Sequence, residues 1–269
     1  MHEILQQLSP GSLVLDLGSG SGSFDGSGLA LTVVRADLDE PRSRPSNFVA
    51  CSASALPFAD RAFQAVISNH SFEHFEDLDQ CISEVARVLD PRGFLYIAVP
   101  DASTLTDRLY RWLGRGGGHI NAFSDVGALP RMITAATGLR NSTTRVLFTS
   151  LAFLNRRNRV SRAPRKLLLI GGGHESVLRF ATIILKYLDR TFHWRTSIYG
   201  WAYYFGELRG VDCASRSNVC VKCGSGAASA WLEATGRVKR RRFRAPIYAC
   251  PVCETVNFFT EDQYWQSVQ

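Results

Sequence analysis

Seven residues, Asp16-Leu17-Gly18-Ser19-Gly20-Ser21-Gly22, constrain the fold of this chain more than any other stretch. They follow Leu13-Val14-Leu15, a short apolar run that reads as a buried strand. Glycines at alternate positions let a backbone turn sharply and come close to a ligand. Asp37 stands 15 residues after Gly22, at the end of a second strand-like run, Val33-Val34-Arg35-Ala36-Asp37. A carboxylate at that place can accept hydrogen bonds from both hydroxyls of a ribose. The spacing is Gly-x-Gly-x-Gly, whereas the dinucleotide fingerprint has two residues before its last glycine.

The surrounding pattern alternates strands with helical segments. A short helix is predicted over 2–8, closed by Ser9-Pro10-Gly11. The stretch 23–31 can hold at most a turn or two of helix, because Gly26 and Gly28 are poor interior residues. Strands are predicted over 47–51, over 62–68 with its dense Val and Ile, and over 94–99. Between the last two, residues 77–88 form an amphipathic helix, with Leu78, Cys81, Ile82, Val85, Val88 and Leu89 at helical spacing. Pro91-Arg92-Gly93 is expected to break it. Two further strands are predicted over 145–149 and 197–205, with a basic loop at Arg156-Arg157-Asn158-Arg159 and a helix near 175–188 between them. The alternation implies right-handed crossovers and an α/β fold: a doubly wound, mostly parallel, seven-stranded sheet.

Five of these segments, in order, carry a resemblance. Val14 to Gly22 is similar to the first motif of class I S-adenosylmethionine-dependent methyltransferases, and Asp37 matches their ribose-binding acid. Ser52-Ala53-Ser54-Ala55-Leu56-Pro57-Phe58 resembles the adenine-side loop after strand three. The run from Phe63 to His74 resembles strand four and the active-site loop, and Glu84 to Gly93 the helix and turn before strand five. The nearest subgroup is the broad bacterial type 11 set. The resemblance implies a Rossmann-like methyltransferase fold and S-adenosyl-L-methionine as cofactor. It places the cofactor on Asp16, Gly18, Ser19, Gly20, Gly22, Asp37, Leu38, Ser52, Ala53, Ser68 and Asn69. The chain departs from the family pattern at Ser52 (usually an acid), Gln64 (usually Asp) and Arg92 (usually Gly), and in its short, glycine-rich first crossover.

Methyl transfer from a sulfonium is an in-line displacement, so the protein mainly positions the acceptor and in some cases removes its proton. His70 follows the fourth strand at the carboxyl edge of the sheet, where ligands bind in open α/β folds, and could act as a general base. His119, in Gly116-Gly117-Gly118-His119-Ile120-Asn121-Ala122-Phe123-Ser124, resembles the substrate-side His–aromatic segment of many relatives. The bland reading of each is a loop histidine. Glu73-His74 reads as structural, at the start of the next helix.

Cys220-Val221-Lys222-Cys223 and Cys250-Pro251-Val252-Cys253 are two Cys-x-x-Cys pairs with a 26-residue spacer. Such pairs place four thiolates around one structural Zn²⁺ with no open position, as in a zinc ribbon. Ala230-Trp231-Leu232-Glu233 and the run from Phe243 to Tyr248 are read as the two strands between them. Cys51, Cys81 and Cys213 have no paired spacing and read as buried small hydrophobes. The strip from Arg237 to Arg244 could grip phosphates; a solvated loop or hairpin, or contact with the acidic first hundred residues, is the favoured alternative.

The net charge of +7 is unevenly spread, with −7 over residues 1–100, +11 over 101–210 and +3 over 211–269. The expected organisation follows that division. Residues 1–210 form the methyltransferase domain, with a cofactor half (1–100) and a substrate half (101–210). Residues 211–269 form the ribbon-like module. The first residues lack a basic n-region and a long apolar stretch, and no window reaches the ~18 apolar residues of a spanning helix, so a cytoplasmic protein is expected. The acceptor expected is a small or anionic metabolite, lipid or glycan-type molecule. RNA or protein is the alternative, with nucleic acid the less favoured partner, and a non-catalytic binding module is the third reading. Ser68-Asn69-His70-Ser71 stands where RNA-modifying relatives often carry Asn-Pro-Pro-Tyr, which favours the first.

Overall fold

A computed structural model describes residues 1–20, 22–41, 47–104, 107–108, 111–112, 119–148, 175–192, 194, 196–209, 218–220, 223–241 and 244–259. The chain divides into two compact units. One comprises Met1–Asp101, Gly118–Thr144 and Trp201–Ala214; the other comprises Ala102–Gly117, Arg145–Gly200 and Ser215–Gln269. The expected boundary near 210–217 and the basic loop 156–159 lie outside the described residues.

A seven-stranded sheet organises the fold. Its strands are β1 (Leu13–Leu17), β2 (Thr32–Asp37), β3 (Phe48–Ala50), β4 (Phe63–Asn69), β5 (Leu89–Pro100), β6 (Asn141–Phe148) and β7 (Ile198–Phe205), in the order β3-β2-β1-β4-β5-β7-β6. The pairings of β1 with β2 and β4, β2 with β3, and β4 with β5 are all parallel. Strand order therefore reverses between β1 and β4. That switch point opens a crevice at the carboxyl ends of the two strands, the general ligand position of such sheets. Strands covered on both faces should read as continuous apolar runs. Val14 and Leu15 in β1, Ala65, Val66 and Ile67 in β4, and Leu95 to Val99 in β5 are all buried.

The helix α1 (His2–Leu5) is shorter than the expected 2–8. No helix is assigned among the described residues of 22–31, which run as turns and bends, so the first crossover is made of loop. Helix α2 (Leu78–Val88) agrees with the periodicity. Asp77 caps it by accepting a hydrogen bond from the Gln80 amide at 3.1 Å, and Cys81, Ile82, Val85 and Val88 face the core. The helix ends at Val88, ahead of Pro91-Arg92-Gly93 as expected, but no separate turn follows it. Instead α2 passes directly into β5, and the β4–β5 register shifts between Phe63↔Leu89 and Ala65↔Phe94. Gly93 is needed there, since a Cβ would lie 2.8 Å from the Gln64 carbonyl oxygen. The sequence reading passed over α3 (Ala128–Thr137), which carries Pro130 in its first turn and buries Leu129 and Ile133.

In the second unit, α4 (Glu175–Phe192) runs four residues past the expected end at 188. Near its end the buried Asp189 carboxylate accepts hydrogen bonds from the amides and hydroxyls of Thr196 and Ser197. The cysteine region contains β8 (Asn218–Val219), β9 (Gly226–Ala227), α5 (Ser229–Ala234), β10 (Val238–Arg241), β11 (Arg244–Ala249) and β12 (Val256–Phe258). Residues 230–233 are thus helical and not the expected strand, in keeping with the helix propensity of Ala, Leu and Glu. Leu232 packs with Ala227, Tyr248 and Phe259 in a small core of its own.

Candidate functional site

The glycine loop leaves β1 and is held by its neighbours. The amides of Gly18 and Ser19 donate to the Ala36 carbonyl at 2.8 and 3.1 Å, and the Gly20 amide donates to Asp37 Oδ2 at 2.6 Å. Gly18 has φ +66°, and a Cβ on it would collide with both Cβ and Oγ of Ser71. The Ser71 hydroxyl donates to the Gly18 carbonyl at 2.8 Å, which locks the loop after β4 against the loop after β1. At Gly20, by contrast, nothing lies within 4 Å of where a Cβ would stand.

Two carboxylates flank this loop in different environments. Asp16 is buried, its carboxyl is pushed above the usual range by desolvation, and its Oδ2 accepts from the Ser23 amide at 2.9 Å beside Arg35 Nε at 3.7 Å. Asp37 is only partly buried at the end of β2, with Leu38 next to it 74% exposed. Ser52 and Ala53 lie just after β3, where the Ser52 hydroxyl is 2.8 Å from that of Ser54. Ser68 and Asn69 close β4, and Ser68 is fully buried. Asp16 Oδ1, Ser19 Oγ and Ser68 Oγ are buried atoms with no hydrogen-bond partner among the described residues. Buried polar atoms in that state are ones a polar ligand completes.

The adenine-side loop is clamped from α2. Glu84 accepts from the Leu56 amide at 2.7 Å, while Arg87 donates to the carbonyls of Leu56 and Phe58 at 2.9 and 2.7 Å and to Asp60 at 2.8 Å. The Arg87 guanidinium holds the Glu84 carboxyl below its usual range. Sequence reasoning saw Glu84 and Arg87 as part of a helical motif and missed this clamp, because their partners lie about thirty positions upstream.

His70 adopts φ +58°, a left-handed conformation that is uncommon for a non-glycine residue and recurs at functional sites. Its Nδ1 is 4.0 Å from Glu73 Oε1. Glu73 and His74 lie in a separate 3-10 turn (Phe72–His74) and not at the start of α2. The segment with His119 docks on that turn. The amides of Ile120 and Asn121 donate to the Glu73 carbonyl at 2.7 and 3.0 Å, and Asn121 Nδ2 donates to the carbonyls of Phe72 and Phe75. The His74 and His119 rings meet edge to face at 5.0 Å. The structure thus gathers both predicted histidines at the 3-10 turn beyond β4.

In the second unit the four cysteines converge. Cys220 Sγ lies 3.5 Å from Cys253 Sγ, and Cys223 Sγ lies 3.7 Å from Cys250 Sγ. A tetrahedron of ~2.3 Å Zn–S bonds has edges of about 3.8 Å. The two knuckles repeat one backbone pattern. Cys220 donates to Ser225 O and accepts from Gly224 N; Cys250 donates to Thr255 O and accepts from Glu254 N. The fourth positions after the first cysteines, Gly224 and Glu254, are both left-handed, at φ +66° and +55°. Arg145, 1% exposed, donates to the Gly224 carbonyl at 3.2 Å, a buried cation at the first knuckle that sequence spacing gave no sign of. Cys81 is buried and Cys51 partly so; Cys213 lies outside the described residues.

The family model described as "Methyltransferase domain" matches residues 15–97, the span from β1 to β5. A malonyl-[acyl-carrier protein] O-methyltransferase of Methylococcus capsulatus is 33% identical over 185 residues, covering 59% of this chain and 67% of that protein. The chain belongs to the class I S-adenosylmethionine-dependent methyltransferases. Probable tRNA methyltransferase 9B of Bos taurus is 35% identical to this methyltransferase over 107 residues, covering 37% of the chain but only 24% of that protein. A structure of phosphoethanolamine N-methyltransferase 2 from Haemonchus contortus has a TM-score of 0.49 and 16% identity, covering 77% of this methyltransferase and 52% of that chain. No helix among the described residues is long and apolar enough to cross a membrane.

Proposed function

We propose that this methyltransferase binds S-adenosylmethionine at the β1/β4 crevice and methylates a small or anionic metabolite, lipid or glycan-type acceptor. The observation that carries the reading is the glycine loop tied to Asp37 and Ser71, with buried Asp16 Oδ1, Ser19 Oγ and Ser68 Oγ left for a polar ligand to complete. S-adenosylmethionine, when bound, supplies the electrophilic methyl group. Asp37 accepts from the ribose hydroxyls, exposed Leu38 and the Ser52–Ala53 turn border the adenine, and Gly18, Gly20 and Gly22 let the backbone approach. Asp16, Ser68 and Asn69 meet the polar amino-acid end. His70 and His119 position the acceptor, and His70 takes its proton where the acceptor is not already an anion.

The malonyl-carrier relative, which shares two thirds of its length with this chain, supports an anionic acyl or small-molecule acceptor. Against nucleic acid, two arginines of the basic strip already serve the ribbon. Arg240 pairs with Glu233 at 2.5 Å and covers the Phe259 ring, and Arg237 reaches Glu254 at 3.4 Å. The tRNA-enzyme relatives match over only about a quarter of their length. The four cysteines, in this proposal, hold a structural Zn²⁺, the module 211–269 folds around it, and the protein works in the cytoplasm.

Label transfer from S-[methyl-³H]adenosylmethionine tests the acceptor. Counts should appear on carboxylate- or hydroxyl-bearing small acceptors and be absent on total RNA. RNA binding that falls steeply between 50 and 200 mM salt, with label on RNA, would replace this acceptor class with nucleic acid.

A further inference from the structure

We propose a second metal site in this methyltransferase, formed by Glu73, His74 and His119 and suited to a divalent first-row transition ion. Each of these residues offers one ligand atom, and the three atoms lie within 4.8 Å of one another. Glu73 Oε1 is 3.9 Å from His74 Nε2, beyond hydrogen-bond range yet close to the separation of groups gathered round a common centre. Two imidazoles and one carboxylate form the donor set of open transition-ion sites, soft enough for zinc, iron or cobalt and ill-matched to magnesium or calcium.

The local fold builds the arrangement deliberately. Glu73 is 2% exposed, and its Oε1 faces two imidazoles, His74 Nε2 at 3.9 Å and His70 Nδ1 at 4.0 Å. Its backbone carbonyl receives the amides of Ile120 and Asn121, so residue 119 is delivered to the turn by main-chain bonds. The Asn121 side chain fastens the same segment to Phe72 and Phe75. His74 is exposed and His119 partly so, which leaves both rings room to move toward an ion. The cluster begins two residues beyond Ser71, whose hydroxyl touches the glycine loop, so the ion would lie on the crevice side of the sheet. Three protein ligands leave coordination positions open, and the matching ligand class is an acceptor with carboxylate or hydroxyl oxygens. The last step rests on the proposed acceptor class; ion binding itself does not.

Cobalt(II) alone is the probe. The full chain carrying one zinc per chain is dialysed against Co²⁺, and cobalt and zinc are counted per chain. Wild type should take up one Co²⁺ while keeping its zinc, without the intense near-ultraviolet sulfur charge-transfer band that thiolate-bound cobalt shows. His74→Ala and His119→Ala should each weaken uptake at least ~10–100-fold, the loss typical even for outer partners of a metal site. Retained zinc content and melting temperature show that the variants are folded. No cobalt uptake by wild type, equal uptake by the variants, or cobalt appearing only with the sulfur band and lost zinc would each overturn the proposal. Neither S-adenosylmethionine nor an acceptor enters the measurement, so failure of the acceptor proposal leaves its result intact.

Discussion

At the scale of single residues, the site depends on close approaches that no local pattern announces. Gly18 illustrates this. The sequence marks it as part of a flexible loop, but the structure gives it a second duty, since Ser71 occupies the volume its Cβ would need. Gly18→Ala should therefore destabilise the fold by about 1–3 kcal/mol, through overpacking and a left-handed backbone, and weaken S-adenosylmethionine binding at least tenfold. Denaturant melts and calorimetry measure both, and an unchanged melt would mean that the two loops are not locked together. Glu254 is the converse case. Its left-handed conformation is legible only once the second knuckle is seen to copy the first, where Gly224 holds the same place.

At the scale of elements, the cofactor half was legible and the connections were less so. Parallel strands covered on both faces write themselves as apolar runs, and α2 as a helical stripe, so β1 to β4 and α2 could be read to within a residue or two. The passage from α2 into β5 could not, because residues 90–93 are accommodated by a register shift against β4 that depends on partners far along the chain. The α5 helix was missed for a related reason. A ribbon template led to an expectation of strand, and the helix propensity of Ala230 to Ala234 prevailed.

The clamp from α2 onto the adenine-side loop gives an element-scale prediction. Arg87→Ala removes charged hydrogen bonds to Leu56, Phe58, Asp60 and Glu84. Allowing for its partial exposure, the cost should be about 2 kcal/mol in stability, with roughly tenfold weaker cofactor binding as the loop loosens. Glu84 sets a pH dependence on the same clamp. Its folded pKa is depressed below the ordinary 4.5, so its contribution is complete above that value and is lost as the pH falls through the folded one. The acid limb of the melting temperature should flatten in Glu84→Gln. The cysteine knuckles give another prediction. A strong chelator should melt β8 to β12 and release about one zinc per chain, while the sheet of β1 to β5 keeps its circular dichroism. Zinc release without any loss of structure in the cysteine region would remove the structural role of the ion.

At the scale of the whole molecule, the uneven charge takes on a more specific reading. The acidic first hundred residues contain Asp16 and Asp37, which stand on either side of one loop in contrasting environments. Part of the basic C-terminal strip is consumed in ion pairs within its own unit. A basic composition therefore argues less for nucleic acid than it did before the partners of those arginines were known. Calorimetric titration of S-adenosylmethionine into the full chain and its Asp37→Ala variant tests the central claim most directly. Wild type should bind one cofactor per chain, and Asp37→Ala should bind at least ~10–100-fold more weakly, about 1.4–2.8 kcal/mol, with its melting temperature retained. Absence of binding to the wild type, or equal affinity in the two proteins, would contradict the placement of the cofactor on the glycine loop and Asp37.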